Sequence, residues 1–350
     1  MQDSILHEKY MKRCLQLAKN GKGKVSPNPL VGSVIVHNNQ IIGEGYHRKY
    51  GHAHAEVHAI VSVKNKELLS ESTIYVNLEP CSHFGKTPPC ANLIIENKIP
   101  NVVIGMQDPF AKVNGQGITM LQAAGCNVTV GVLENECCEL NKEFTVFHMK
   151  KRPYIVLKWA ETLDGFIDKK RDLNDLQEPN WITNEVCRSL VHKWRSNLSG
   201  IMIGTNTAQI DNPKLNVRSW HGENPLRIII DNDLSLSKNL SVFDQSQPSL
   251  ILNSIKNDKE GNNEFVKIAF GDSFLSNLMH VLAERNISSL LVEGGQKLID
   301  TFIKQNLWDE ARVFVGNRYF INGVSAPKIR GKIIATEKLR DNYLSVYKNQ

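Results

Sequence analysis

Three short stretches of the chain carry residues able to do chemistry together: His54-Ala55-Glu56, Pro80-Cys81 and Pro89-Cys90. One imidazole and two thiolates form a natural three-donor set for Zn²⁺. Three donors leave a fourth tetrahedral position free, which marks a catalytic rather than a structural zinc. Bound zinc lowers the pKa of a water to about 7 and makes hydroxide available at neutral pH. Glu56 lies two residues past the histidine and reaches that water without binding the metal. Its expected work is to take the proton and pass it to a leaving amine. Each piece alone is ordinary, since His-x-Glu is common on helices and His52, His54 and His58 could all be surface residues. The conjunction is not ordinary, because a proline precedes each cysteine and a strand and a helix are expected at the right places.

His-x-Glu followed by Pro-Cys-x-x-Cys is a signature of zinc deaminases that act on cytosine or adenine rings. Between Cys81 and Cys90 this chain has SHFGKTPP, eight residues long. The longer spacer counts against a nucleoside or tRNA deaminase.

The elements that must hold these residues follow from hydrophobic period and turn chemistry. MQDSILHEKYMKRCLQLAKNG reads as an amphipathic helix, with Ile5, Tyr10, Leu15 and Leu17 among its apolar positions. It lacks the apolar core and cleavage site of a signal peptide. LVGSVIV, HNNQ and IIGEGY form a strand, a turn and a strand, and the Asn38–Asn39 pair tolerates the positive φ of a tight hairpin. A helix is expected over 53–66. TIYVNL, ANLIIENK, NVVIGM, GITMLQAAG and NVTVGV then alternate strand and helix, which predicts adjacent parallel strands. A charged helix around Glu134–Lys142 leads to FHMKKRP, and Pro153 marks the expected domain boundary. Beyond it a second α/β series runs through PYIVLKWA, SNLSGIMIG, PLRIIID, PSLILN, ISSLLVEGG and DEARVFVG, with helices around Glu185–Lys193 and Gly271–Glu284. The final twenty-five residues carry weak patterns.

Length and composition agree with two α/β domains, taken as 1–150 and 151–350. The chain has 350 residues, 41% of them hydrophobic and 22% charged, with a net charge of +6 from scattered basic residues. That distribution predicts a solvated surface rather than a nucleic-acid footprint. Nothing approaches the ~18 apolar residues of a membrane span. Seven cysteines at irregular spacing argue against a disulfide framework and for the reducing cytoplasm. Cys14, Cys126, Cys137, Cys138 and Cys187 read as small core or surface residues.

PNPLVGSVIV, GEGYH, HAEVHA and LEPCSHFGKTPPC resemble the deaminase half of the bifunctional riboflavin-biosynthesis deaminase/reductase family. The resemblance implies a cytidine-deaminase-like α/β/α domain in which His54, Cys81 and Cys90 bind zinc and Glu56 shuttles the proton. A pyrimidine carrying ribose phosphate needs cationic and hydrogen-bonding partners. His83, Lys86 and Thr87 in the spacer supply them, with Asn28 in the Pro27-Asn28-Pro29 turn and His47 after the second strand as further substrate contacts.

No Gly-x-Gly-x-x-Gly follows a strand in the second half, so a standard Rossmann site is not expected. LVEGGQKLIDTFI instead places two glycines at a helix start, where free N–H groups favour phosphate. LKWAETLDG, NWIT, Arg195, IGTNTAQIDNPKL through Arg218, RIIIDN and VEGGQ resemble the reductase half of the same family. That likeness implies a dihydrofolate-reductase-like α/β fold using NADPH. Carried over position by position, Ala160, Trp181, Thr207, Asp211, Asn232 and the run Gly295, Gln296, Lys297, Leu298, Ile299, Asp300 and Thr301 line the cofactor. Arg195, Leu215, Arg218 and Glu293 face the substrate, and Lys158 stands beside the reacting ribose carbon. The guanidinium fork suits phosphate oxygens.

The expected function is hydrolytic deamination of a phosphoribosylamino-diaminopyrimidinone, followed by NADPH reduction of its ribosyl chain to ribityl, in a homo-oligomer free of nucleic acid and membrane. The alternative keeps the deaminase and makes the C-terminal domain a degenerate binding or dimerisation module. It is motivated by Pro179, the long charged loop 166–180 that contains it, and the altered C-terminal tail.

Overall fold

The computed structural model describes residues 2–82, 88–110, 114–170 and 180–350, which cluster into two units, Met1–Lys151 and Arg152–Gln350. In the first, the chain runs through α1 (Gln2–Ala18), β1 (Gly32–His37), β2 (Gln40–Tyr46), α2 (Ala55–Ser62), β3 (Thr73–Leu78), α3 (Cys90–Glu96), β4 (Asn101–Met106), α4 (Gln116–Ala123), β5 (Asn127–Val130), α5 (Glu134–Leu140) and α6 (Lys142–Lys150). The sheet order is β2-β1-β3-β4-β5. β3, β4 and β5 are parallel, while β1 runs antiparallel to β2 and β3. The hairpin joining β1 and β2 has positive φ at both Asn38 and Asn39, as its asparagine pair requires.

Period-two alternation gives each central strand two buried faces. Ile74, Val76, Val102 and Ile104 point into one cluster with Ile60 of α2, Ile94 of α3 and Leu121 of α4. Tyr75 and Val103 point into the other with Tyr10, Met11 and Cys14 of α1 and Cys137 of α5. The result is an α/β/α layering. A side chain at Gly45 would put Cβ 2.4 Å from the Ala59 nitrogen, so the glycine lets α2 lie directly on β2.

Several local readings change. The helix expected over 53–66 ends at Ser62, because Val63 is extended and Asn65 caps a separate 3₁₀ turn, accepting from the Glu67 N–H. Ile5 is 70% exposed rather than on the apolar face. The charged helix is two helices that meet at Asn141, and most of FHMKKRP lies inside α6.

The break at Asn141 serves a buried turn. Asn141 accepts from the Leu30 N–H at 2.8 Å and donates to the Leu30 carbonyl at 3.1 Å. Asn77 donates to the same carbonyl at 3.0 Å and accepts from the Gly32 N–H at 2.7 Å. Two buried amides thus satisfy the backbone just after Pro27-Asn28-Pro29.

The second unit contains β6 (Tyr154–Thr162), β7 (Phe166–Lys169), α7 (Glu185–Asn197), β8 (Gly200–Ile203), α8 (Thr205–Asp211), β9 (Leu226–Ile230), β10 (Ser249–Asn253), β11 (Asp258–Glu260), β12 (Asn263–Lys267), α9 (Phe274–Glu284), β13 (Ser289–Val292), α10 (Gln296–Lys304), β14 (Glu310–Gly316), β15 (Gly323–Ser325), β16 (Lys332–Leu339) and β17 (Asn342–Lys348). Its ten-stranded sheet has the order β11-β12-β10-β9-β8-β13-β6-β14-β17-β16, and β7 pairs with β15 apart from it. Strands β12 through β14 in that order are parallel. The weakly patterned tail is an antiparallel hairpin joined to β14 through β17. Its β16 is exposed from Lys332 to Lys338, so burial leaves no one-sided apolar signature to read.

Asn141→Ala removes the partner of the Leu30 N–H. It is expected to destabilise the chain by about 1–3 kcal/mol, seen as a lower urea midpoint; an unchanged midpoint contradicts this role.

Candidate active sites

Three elements deliver the first donor set. His54 is the extended residue that precedes α2, with φ −76° and ψ 171°, so its ring projects from the helix start. Cys81 follows the end of β3 by way of Glu79-Pro80, and Cys90 opens α3. The His54 Nδ1 lies 3.5 Å from the Cys81 Sγ and 3.3 Å from the Cys90 Sγ, and the three donor atoms all fall within 4.8 Å of one another. Nitrogen and sulfur bound tetrahedrally to zinc stand about 3.6 Å apart. The donors therefore fit zinc in type and in spacing.

Electrostatics prepare the same set. The Cys90 thiol and His54 both hydrogen-bond Cys81 and pull its thiol well below the ordinary range. Its bond to Cys81 and its own burial push Cys90 upward. These contacts favour the thiolate form of Cys81, as a metal ligand needs. Glu56 sits in the first turn of α2, 3% exposed, and its Oε2 is buried without a hydrogen-bond partner among the described residues. Burial raises its pKa. An unpartnered carboxylate oxygen beside a metal-donor set is a group held ready for a proton.

Asn28 and His47 come together beside this set. The Asn28 Nδ2 donates to the His47 Nε2 at 3.1 Å, and the His47 Nδ1 donates to the Ala53 carbonyl at 3.1 Å. The His47 ring stands edge-on to His54 at 5.4 Å, and burial lowers its pKa, so it is neutral. His83, Lys86 and Thr87 lie outside the described residues.

One buried acid escaped the motif reading. Glu79 accepts from the backbone N–H groups of Asp108, Gly115, Gly117 and Ile118 at 2.9–3.3 Å. It ties the segment leading into α4 to the strand end that carries Cys81. A carboxylate between an apolar strand and Pro-Cys must find buried donors, and that was the available signal. Asp108, beside it, is raised to about 6, mainly by burial.

In the second unit Glu293 gathers cations. The Arg195 Nε and Nη2 donate to its two oxygens at 2.9 and 2.8 Å, and the Lys158 Nζ is 3.8 Å away. Burial acts to raise the Glu293 pKa, but Arg195 and Lys158 overcome it and hold the group at about 2. Burial lowers Lys158. Arg218 joins through Asn216, whose carbonyl accepts from Arg195 at 3.2 Å and whose side-chain oxygen accepts from Arg218 at 3.1 Å. Leu215 is buried with φ +53°, so it turns the backbone rather than offering its side chain.

The cofactor-run residues divide. A Cβ on Gly294 would lie 2.9 Å from the Thr207 Cγ2, and one on Gly295 would lie 3.3 Å from its Oγ1, so this turn lies directly against Thr207 at the start of α8. Gly295 precedes α10 with φ +79° and no side-chain cap among the described residues, the kind of helix start whose first N–H groups suit a phosphate. The Leu298 and Ile299 side chains pack in the core, so only their backbone is available to a ligand. Gln296, Lys297, Asp300 and Thr301 lie outside the core, with the Thr301 hydroxyl donating to the Lys297 carbonyl. Asn232 keeps a buried Oδ1 without a hydrogen-bond partner among the described residues. Trp181 is half exposed, with the Arg188 guanidinium 4.9 Å above its ring. Ala160 sits in β6 opposite Phe314, and Asp211 ends α8. Pro179 lies outside the described residues.

Comparison with known proteins agrees across both units. Residues 4–106 match the cytidine and deoxycytidylate deaminase zinc-binding region, and residues 153–329 match the RibD C-terminal domain. Riboflavin biosynthesis protein RibD of Aquifex aeolicus is 38% identical over 325 residues, 91% of this chain and 89% of that protein. RibD of Bacillus amyloliquefaciens is 36% identical over 93% of this chain and 88% of its own length. A crystal structure of a diaminohydroxyphosphoribosylaminopyrimidine deaminase/5-amino-6-(5-phosphoribosylamino)uracil reductase from Thermotoga maritima superposes with a TM-score of 0.89 at 36% identity, covering 99% of this chain and 100% of that one.

Cys90→Ala and His54→Ala are each expected to lower bound zinc from about one per chain to a small fraction, measured by metal analysis after dialysis; full retention contradicts the ligand set. Glu293 titrates lower in the fold than its ordinary 4.5, so it adds stability above that pH and loses it as pH falls from 4.5 toward 2. Wild type is therefore expected to lose more stability over that range than Glu293→Gln, read from melting curves; parallel curves contradict the pairing.

Proposed function

The chain belongs to the RibD family of bifunctional riboflavin-biosynthesis deaminase/reductases, and from that membership we propose how its residues divide the work. It deaminates 2,5-diamino-6-(5-phosphoribosylamino)pyrimidin-4(3H)-one, then reduces the ribosyl chain with NADPH to give 5-amino-6-(5-phosphoribitylamino)uracil. Residues 1–150 carry the first reaction and 151–350 the second. The observation that carries the deaminase reading is the convergence of His54, Cys81 and Cys90 beside the buried Glu56 carboxylate, which the Cys90 thiol meets on one side and whose Oε2 has no partner among the described residues.

His54, Cys81 and Cys90 would hold zinc, which would supply Lewis acidity and an activated water. Glu56, with its buried Oε2, would hold the proton given up by the attacking water and release it to the departing amine, so that ammonia leaves as oxygen replaces nitrogen on the ring. Burial favours its protonated form midway through this transfer. Asn28 and neutral His47 hold the ring and sugar, and His83, Lys86 and Thr87 meet the phosphoribosyl group.

In the second unit NADPH supplies the hydride. The Gly294-Gly295 turn, Thr207, Asp211, Asn232, Trp181 and Ala160 hold the cofactor. Arg195 and Arg218 hold the substrate phosphate, and Lys158 stands at the ribose carbon. Glu293 orients Lys158 and Arg195 by charge. The alternative of a degenerate second unit is not favoured, because the match to the RibD C-terminal domain spans residues 153–329 and the Lys158, Arg195 and Glu293 cluster is present.

No helix of the described residues is long and apolar enough to cross a membrane. We place the enzyme in the cytoplasm, consistent with seven cysteines all free. The unpaired outer edge of β16, with Ile333 and Ile334 about half exposed, supports a homo-oligomer.

With the diaminopyrimidine as substrate, ammonia release and NADPH oxidation are followed separately. Glu56→Gln is expected to keep its zinc, lose about 10²–10⁴-fold in ammonia release, and still oxidise NADPH when given the deaminated intermediate. Undiminished ammonia release overturns the Glu56 assignment. Absence of NADPH oxidation by the wild type overturns the reductase.

A further inference from the structure

The segment that carries Arg218 has no regular secondary structure between α8 and β9. Its shape is set by α7, on which His192 and Arg195 lie three residues apart and so share one face. The His192 Nδ1 accepts from the Arg218 N–H at 3.3 Å, and the Arg195 Nη1 donates to the Asn216 carbonyl at 3.2 Å. The exposed Arg218 guanidinium thus hangs from a backbone pinned at two points to the helix that also presents Arg195.

We propose that His192 is a positioning residue for the reductase, fixing Arg218 so that its guanidinium and that of Arg195 close together on the substrate phosphate. This rests on the reading of Arg218 as a phosphate contact. The imidazole is 4% exposed. A protonated ring offers no acceptor at Nδ1, whereas a neutral one does. Burial, helped by the Arg195 and Arg218 guanidiniums, takes its pKa down to about 4, against the opposing pull of the Asn216 carbonyl and Glu293. The ring therefore accepts at neutral pH and adds no third charge beside the two arginines.

The full chain is tested as His192→Phe, His192→Asn, Arg218→Ala and His192→Phe/Arg218→Ala, with ammonia release from the first unit as an internal control of the preparation. KM and kcat are measured for NADPH-dependent reduction of the deaminated substrate. His192→Phe is expected to raise KM about 5- to 50-fold with little change in kcat. His192→Asn, which restores an acceptor, returns KM toward wild type. On the Arg218→Ala background the His192 change adds nothing further, because its effect passes through Arg218. An unchanged KM in His192→Phe, or an additive rise in the double variant, overturns the proposal while leaving Arg218 as a phosphate contact. An unchanged KM in Arg218→Ala overturns the phosphate reading itself. Should His192→Phe fail to fold, His192→Gln against His192→Ala makes the same comparison of acceptor with none.

Discussion

A catalytic zinc imposes one demand on the first unit: three soft donors must meet at about 3.6 Å while a fourth direction stays free. No single element can meet it, so the fold brings a helix start, a strand end and a second helix start to one point. His54 projects because it is still extended when α2 begins. Cys81 is placed by β3, and Cys90 by the first turn of α3. The parallel order β3-β4-β5 and the glycine contact of α2 on β2 are what hold those ends in register. Glu79 extends the same constraint, since its four backbone bonds tie the chain before α4 to the strand end bearing Cys81. Glu56 is left with one buried carboxylate oxygen, Oε2, that has no hydrogen-bond partner among the described residues.

The second unit solves a different problem, holding several positive charges close together without a ligand present. Glu293 does so by neutralising Arg195 through two charge-assisted bonds and Lys158 at longer range. Asn216 links Arg195 to Arg218, and His192 contributes an uncharged acceptor. The charged cluster is therefore preorganised, and α10 opens at Gly295 with no side-chain cap among the described residues.

Much of this was legible in the residues. Fully buried strands such as TIYVNL and NVVIGM appear as continuous apolar runs, and the family, the two-part α/β fold and the two reactions followed from motifs quoted directly from the chain. What the sequence hid was long-range. Asn77 and Asn141 look like ordinary polar residues until both are seen on Leu30, and Glu79 shows its role only once the chain before α4 folds back onto it. The tail hairpin escaped because β16 is exposed on both faces, which removes the alternation that betrays a strand. Leu298 and Ile299 fell inside a cofactor run by position, yet their side chains serve the core. The helix expected over 53–66 is too long because the backbone is extended at Val63 and Asn65, between the end of α2 and the separate 3₁₀ turn that Asn65 caps.

The most direct test of the central claim is zinc X-ray absorption on the full-length enzyme. The account predicts one imidazole nitrogen near 2.0–2.1 Å, two sulfurs near 2.3 Å and one light, exchangeable oxygen ligand. A closed shell of four protein ligands, or a spectrum unchanged when Cys90 is replaced by alanine, would contradict it.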